Sequence, residues 1–552
     1  MGEALRRHLD QRMEGLRQDR NSFMTHWKEL ADYILPRRYR WLVSPNEATR
    51  GSPLNSRIID ETGTIAARRL ASGMMSGITS PTRPWFKLRI ETAGDDDTSP
   101  VNLWLAEVER RMLRVFSESN FYNSIAVTYF DLVVFGTASM IIYEDYDDVI
   151  RCHNPCLGEF FLAMDHRGKV DTIYRELSMT VKQVVEQFGL SACSENVRIL
   201  YTNSTSEALS TELVVRHAIE PNRGAEALPK IFAFREVYWE AASREPQVLS
   251  HKGFHEFPGF APRWDLSGND SYGRSPGMDA LGAIKQLQQE SKRKGQALDK
   301  MVNPPMRADI TLKNQPNSLL PGGVTFVSGM TNTNPGFAPI FQVQPPVAEL
   351  MQDIAAVQQR IGDIFFNDLF MMISQLQTVR SATEIDARRE EKLILLGPVL
   401  ERFENEALDP AIDRVFAIMS RAGLLPPAPP EIANRHIQVQ YVSMLAEAQR
   451  SVGTSSIERV LAQVGNLAAV DQTVLDNVDF DAATREYASL LNVAPKIIRP
   501  MEQVLARRKA AADQIAAQQA AQQGMVAVEG AKALSDTDVG GGQNALAALL
   551  GR

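Results

Sequence analysis

The spacing of apolar positions divides the chain into two differently built halves. After Asn55, Ile58, Ile59, Ile65, Leu70 and Met74 recur on a rough helical face until "TSPTRP" breaks it, and "VNLWLAEVERRMLRVF" from Val101 repeats the pattern. Residues 1–35 read as one or two helices closed by Pro36. "WFKLRIE" from Trp85 alternates with period two, as a half-buried strand does. From Leu132 to about Trp264 short β-rich runs take over, among them "LVVFGTASMIIY", "DTIYREL", "IFAFREVYWEA" and "QVLSHKGF", with one helical interruption from Thr180. The pattern predicts an α+β body, with the chain as a whole mainly helical.

The second half starts with Ser275 in an N-cap position and Pro276 at the first helical position, opening a helix that runs to Asn303-Pro304-Pro305. Its apolar stripe is thin, namely Leu281, Ile284, Leu298 and Val302 with Gly282 and Gly295 between, so this helix cannot hold a core alone. A β insert follows ("RADITL", "GVTFVS", "APIFQVQ"), and a second helix leaves from Pro346. In it Val347, Leu350, Ile354, Val357, Ile361 and Ile364 form a narrow, heptad-like seam. Phe370 to Thr378 then carry no charge, although charged helical segments flank them. Ser381 and Glu384 offer a capping box for the next helix, with Leu393, Leu396, Leu400, Phe403 and Ala407 on one face and bends at Gly397-Pro398 and Asp409-Pro410. Residues 440–500 read as short helices, "MEQVLARRKAAADQIAAQQAAQQ" as a long Ala/Gln helix, and the stretch from Gly524 as a flexible tail.

At 552 residues, 44% hydrophobic and 23% charged, the composition is that of a soluble chain of several compact units. No apolar run reaches the roughly 20 residues a membrane helix needs, so no membrane is expected. The N-terminus has no continuous apolar core of a secretory signal, and Arg6 spoils a myristoylation pattern, which places the chain in the compartment of its synthesis. Cys152, Cys156 and Cys193 are too few for a disulfide framework.

A net charge of −8 argues against a protein that grips nucleic acid tightly, though not against one that lets it slide past. There is no Walker A loop, no H-E-x-x-H and no G-x-S-x-G, so neither an enzyme nor a cofactor is expected. Cys152-His153 with Cys156 is half a zinc site without its other half, and the reading adopted is structural cysteines and no metal. The acidic groups Asp95-Asp96-Asp97 and Glu144 to Asp148 could serve a nuclease, but in Gly/Asp-rich turns they read as solvated loop tips. The basic groups Arg37-Arg38-Tyr39-Arg40 and Lys292-Arg293-Lys294 are candidates for phosphate contact.

Five segments in this order, "LASGMMSGITSPTRPWFKL", "FGTASMIIYED", "GEFFLAMDHRGKVDTIYREL", "YGRSPGMDAL" and "RSATEIDARREEK", make residues 20–420 resemble the portal proteins, or head-to-tail connectors, of short-tailed, T7-like double-stranded DNA phages. The resemblance implies a homo-oligomeric ring, typically a dodecamer, at one capsid vertex of the virion, assembled in the host cytoplasm. It implies an α+β wing at 1–270, a first stem helix at 271–302, a β-containing clip at 303–345, a second stem helix at 346–366 and a channel loop at 367–381. A long wing helix at 382–435, a helical crown at 436–523 and a flexible tail at 524–552 complete it. Partners would be double-stranded DNA, a terminase large subunit as motor, major capsid and scaffolding proteins, and tail adaptors.

On this reading Leu350, Ile354, Val357, Ile361 and Ile364 are a stem seam buried between neighbouring copies, and Lys313, Asn314, Gln315 and Asn317 of the clip dock the motor and later the tail. Met371, Met372, Ser374, Gln375, Gln377 and Thr378 would meet passing DNA without gripping it, because each Lys or Arg paired to phosphate adds affinity that translocation must break; Arg380 is the exception. Rival readings are a DNA-packaging nuclease and a helical scaffold-like protein.

Overall fold

The N-terminal helix, Glu3–Tyr33, turns Leu5, Leu9, Met13 and Leu16 to one side and lays them on a five-stranded antiparallel sheet. The structure, a computed structural model, describes residues 2–43, 56–90, 100–203, 205–224, 226–243, 245–308, 337–339, 346–368, 396–430, 437–442, 460–467, 473, 477–484, 499 and 501–536. The sheet's strands, Phe160–Met164, Val170–Thr180, Glu212–Pro221, Phe234–Glu240 and Ser250–Phe254, pair in chain order. Their register sets Phe161, Tyr174, Ala218 and Val237 side by side, which puts one apolar row under the helix.

The other face carries Phe160, Arg175, His217 and Tyr238 in the adjoining row and is covered by helices Val181–Phe188 and Glu195–Thr202. The first of these begins where the sequence indicates, with a capping box between Thr180 and Gln183. His217 is fully buried against Tyr238, their rings 4.0 Å apart. Its Nδ1 accepts a hydrogen bond from Arg175 Nε at 2.7 Å, so the ring proton sits on Nε2 and is donated to Glu236 at 3.0 Å. Burial first, and the Arg175 charge second, push the His217 pKa down to about 4.

One expectation is corrected here. Leu132–Phe135, read as strand, forms the last turn of helix Phe121–Phe135, and only Met140–Asp145 beyond it is strand. Most of that helix is buried, so its apolar run carries no helical period to read.

The helix stops at Gly136, which adopts a left-handed conformation (φ 79°), and there the chain crosses the segment leading into the first central helix, Pro276–Val302. A Cβ on Gly273 would lie 2.4 Å from the Gly136 carbonyl oxygen, and one on Gly277 would lie 2.6 Å from that of Val134. Two hydrogen bonds hold the crossing: the Gly273 N–H donates to Thr137 Oγ1 at 2.7 Å, and Ser275 Oγ donates to the Val134 carbonyl at 2.7 Å. Ser275 Oγ also accepts the Met278 N–H, the expected N-cap.

Residues 396–421 are helical, with Leu396, Leu400, Phe403 and Ala407 buried as the sequence implies, while Leu393 lies outside the described residues. The expected irregularity at Asp409-Pro410 is a π turn, Glu404–Leu408. Pro410 has no N–H to offer the carbonyl four residues back, and the wider turn absorbs its ring. Within this turn Glu406 receives a fork of bonds from the buried Arg263 side chain, at 2.7 and 3.1 Å, and one from its backbone N–H at 2.9 Å. Further on, the buried Arg414 pairs with Glu256, and Arg421 pairs with both Glu256 and Glu144. Of the β insert, Met306–Ala308 pairs antiparallel with Phe337–Pro339.

The chain forms two compact units: residues 1–88, 105–428 and 439–452, and residues 89–104, 429–438 and 453–552. In the second, helix Met501–Asp536 runs for 36 residues, past Gly524 where the expected tail begins. Arg508 there pairs with Asp481 at 2.6 Å.

Two outcomes follow. Gly273→Ala forces a methyl into backbone and is expected to cost about 3 kcal/mol, read by denaturant unfolding, against near neutrality for Gly282→Ala, whose added methyl meets nothing within 4 Å. Because the His217 pKa lies below the unfolded value of about 6.5, its stabilising contribution is complete above that pH and is lost as pH falls towards 4. Thermal scans between pH 7 and 4 should therefore show a steeper loss for the parent than for His217→Gln.

Candidate functional site

The feature that no private core explains is the pair of central helices, Pro276–Val302 and Val347–Ile364. Their base is anchored in the first unit. On the first helix Leu281, Ile284 and Leu287 are buried, and Gly63 of helix Thr62–Ile78 lets that helix close on Ile284: a Cβ at Gly63 would lie 2.8 Å from its Cδ1. Ile354, Val357 and Ile361 of the second helix are likewise buried within the chain, while Leu350 and Ile364 are half-buried. This corrects the expectation that the whole seam awaits a neighbouring copy. Its centre is already satisfied, because three helices meet there and not two.

A polar clasp completes the base. The amide oxygen of Gln288, buried at 6% exposure, accepts the Ile59 and Asp60 N–H groups at 2.6 and 2.8 Å, and its nitrogen donates to the Asp60 carbonyl at 2.8 Å. Asp60 Oδ2 accepts from Gln358 Nε2 at 2.8 Å, and its Oδ1 accepts the Thr62 N–H at 2.9 Å. Asp60 therefore starts one helix and ties it to both central helices. None of these three residues stands out in the sequence as part of a motif. The available signal was a glutamine, Gln288, sitting one turn after Ile284 on the apolar stripe.

The far end is different. Leu298 and Val302 continue the Ile284 stripe, 14 and 18 residues on, yet they are 41% and 77% exposed. Met301 on the same helix and Met351 on the second central helix are about half exposed (46% and 56%). Among the described residues the apolar stripe outruns its partners.

The chemistry proposed from sequence resolves into structure. Cys152, Cys156 and Cys193 are buried and free, and burial raises the thiols of Cys152 and Cys156 to about 12, well above the range of a ligand or nucleophile. His153 is held at about 4, again mainly by burial. Asp145 caps the turn between two strands by accepting the N–H groups of Asp147 and Asp148, which lowers its pKa, and Glu144 is engaged by Arg421. Among the described residues no group of side chains has the geometry of a metal site. Asp95 to Asp97 lie outside those residues. Arg38 is not free for phosphate, since it forks onto the buried Asp131 at 3.0 and 3.1 Å. Lys292 and Arg293 are exposed and form no ion pair among the described residues.

Lys313, Asn314, Gln315 and Asn317 lie outside the described residues, as do Met371, Met372, Ser374, Gln375, Gln377, Thr378 and Arg380. No described helix is long and apolar enough to cross a membrane. Gln288→Leu, which strands two backbone N–H groups, is expected to lower the stability of the unassembled chain by about 2 kcal/mol. Lys292→Gln with Arg293→Gln should change it by less than about 0.5 kcal/mol in the same denaturant titration.

Comparison with known proteins adds the remaining finding. Residues 6–498 match the family model described as bacteriophage head to tail connecting protein. The chain is 43% identical to a portal protein of Salmonella phage epsilon15 over 542 residues, 97% of this chain and 96% of that protein. It is 42% identical to a probable portal protein of Bordetella phage BPP-1 over 530 residues, 95% of this chain and 94% of that protein. The chain belongs to the family of bacteriophage head to tail connecting proteins.

Proposed function

We propose that this chain is a portal protein, a non-enzymatic subunit of the virion that joins capsid to tail and encloses the path of the genome. Identity above 40% along nearly the full length of two portal proteins carries the reading. The uneven burial of the central helices supports it from an independent direction. Copies arranged head-to-tail around a closed ring, typically of twelve, would cover the exposed Leu298, Met301, Val302 and Met351. These helices would be the stem, the base clasped by Asp60, Gln288 and Gln358 its root in the wing, and the β insert the clip.

In this arrangement the clip, with Lys313, Asn314, Gln315 and Asn317, receives the terminase motor during packaging and tail adaptors afterwards. A borrowed motor is required because the chain has no Walker A loop with which to hold ATP. Residues 382–435 serve as the long wing helix and residues 436–523 as a crown. The segment 367–381 lines the channel. Its Met371, Met372, Ser374, Gln375, Gln377 and Thr378 offer DNA only weak, uncharged contact, leaving Arg380 at its end as the one cation. The same ring would nucleate head assembly with capsid and scaffolding proteins, retain the DNA and release it on ejection.

Two measurements test this. Electron microscopy of the purified chain should reveal closed rings with a central hole; monomers at high concentration beside the capsid protein would overturn the reading. Gln375→Lys, Gln377→Lys and Thr378→Lys together should leave rings intact but lower the yield of filled heads by about tenfold or more, since every subunit adds phosphate-binding charge to the path. Normal filling by that variant would remove the low-adhesion role and leave the ring standing.

A further inference from the structure

The second central helix ends without a local reason to end. Its last helical residue is Ile364, and the position that closes the turn is held by Phe366 in a left-handed conformation (φ 52°), where glycine is the usual occupant. Gly362 falls four residues too early to serve, and the next proline is Pro398. Helical geometry resumes at residues 367–368. None of Ile364, Phe365, Phe366 and Asn367 is a glycine or a proline, so no strong breaker fixes the stop.

Something tertiary therefore imposes the break. Phe365 is completely buried in the broken form, which rewards it. Two features oppose it: a bulky aromatic residue in the left-handed region, and Asn367, buried at 6% exposure with its Oδ1 accepting no hydrogen bond. Straightening the joint would remove the left-handed residue and restore about one turn of helical hydrogen bonds, at the expense of the Phe365 contact. One reward set against two penalties is the energetic form of a bistable element.

We infer that residues Phe365 to Asn367 form a two-state joint, exchanging the observed break for a helix that continues from Val347 through Asp368. Among the described residues the other two non-glycine residues with positive φ are Val149, at the start of a strand, and Glu226, between two strands, and neither separates two helical segments. The joint follows from its own geometry and does not depend on what residues 367–381 line.

The test uses the full chain with spin labels at Gln352→Cys and Asp368→Cys, diluted in unlabelled copies; the native cysteines are buried and are not labelled. An unbroken helix places these sites about 24 Å apart, and the break brings them closer. The parent should give both distances. Phe366→Gly, which relieves the left-handed residue, should reduce the long-distance fraction relative to Phe366→Ala by about fivefold. Asn367→Ala, which deletes the unpartnered carbonyl, should shift the ratio the same way and carries the test should Phe366→Gly not fold. A single short distance in the parent, or a ratio moved by neither substitution, overturns the joint.

Discussion

Two stretches of backbone touch where Gly136 passes Gly273, and the placement of the central helices depends on that contact. No side chain fits there: carbonyl oxygens occupy the space that a Cβ at Gly273 or Gly277 would need. Because the contact is backbone on backbone, it fixes the first central helix relative to helix Phe121–Phe135 without reliance on rotamers. Thr137 and Ser275 then supply the hydrogen bonds that two crossing chains would otherwise leave unmade. "FGTAS" and "YGRSPG" act as a matched pair for a plain reason: each supplies the small residues and the hydroxyl that the other's backbone requires.

From that root the central helices grade from satisfied to unsatisfied. Near the base, apolar burial and the Asp60 clasp hold them within one chain; towards the tip, the same stripe meets solvent. Such a gradient suits a part that must be rigid where it joins its own subunit and adhesive where it meets the next. In the proposed ring an isolated subunit would be folded yet incomplete, its base packed within the chain and its exposed tip covered on assembly.

Elsewhere the body is tied by the ion pairs of buried arginines: Arg235 on the buried Glu220, and Arg263 and Arg414 on the half-buried Glu406 and Glu256. Such pairs add little net stability, because removing two charges from water nearly offsets their attraction. Their effect is on geometry. A forked guanidinium accepts one orientation of its carboxylate, so Arg263 fixes the π turn against the segment that precedes the first central helix. Breaking one partner strands a buried charge, which makes these sites far less tolerant of substitution than the exposed pairs along the helices.

The sequence by itself determined what short-range chemistry can express: the α+β body, the Ser275 cap, the helix start at Thr180, the two central helices, and the motifs that mark the family. It placed Leu396, Leu400, Phe403 and Ala407 on one buried face, because helical period alone requires it. It misread Leu132–Phe135, since a segment buried on every side has no polar face to set its period. Tertiary structure alone decided that Gln288 is a clasp, that Arg38 serves Asp131 and not phosphate, and that the helix ends at Phe366. The first two depend on a partner distant in sequence, and local preference carries no record of a residue 93 or 228 positions away.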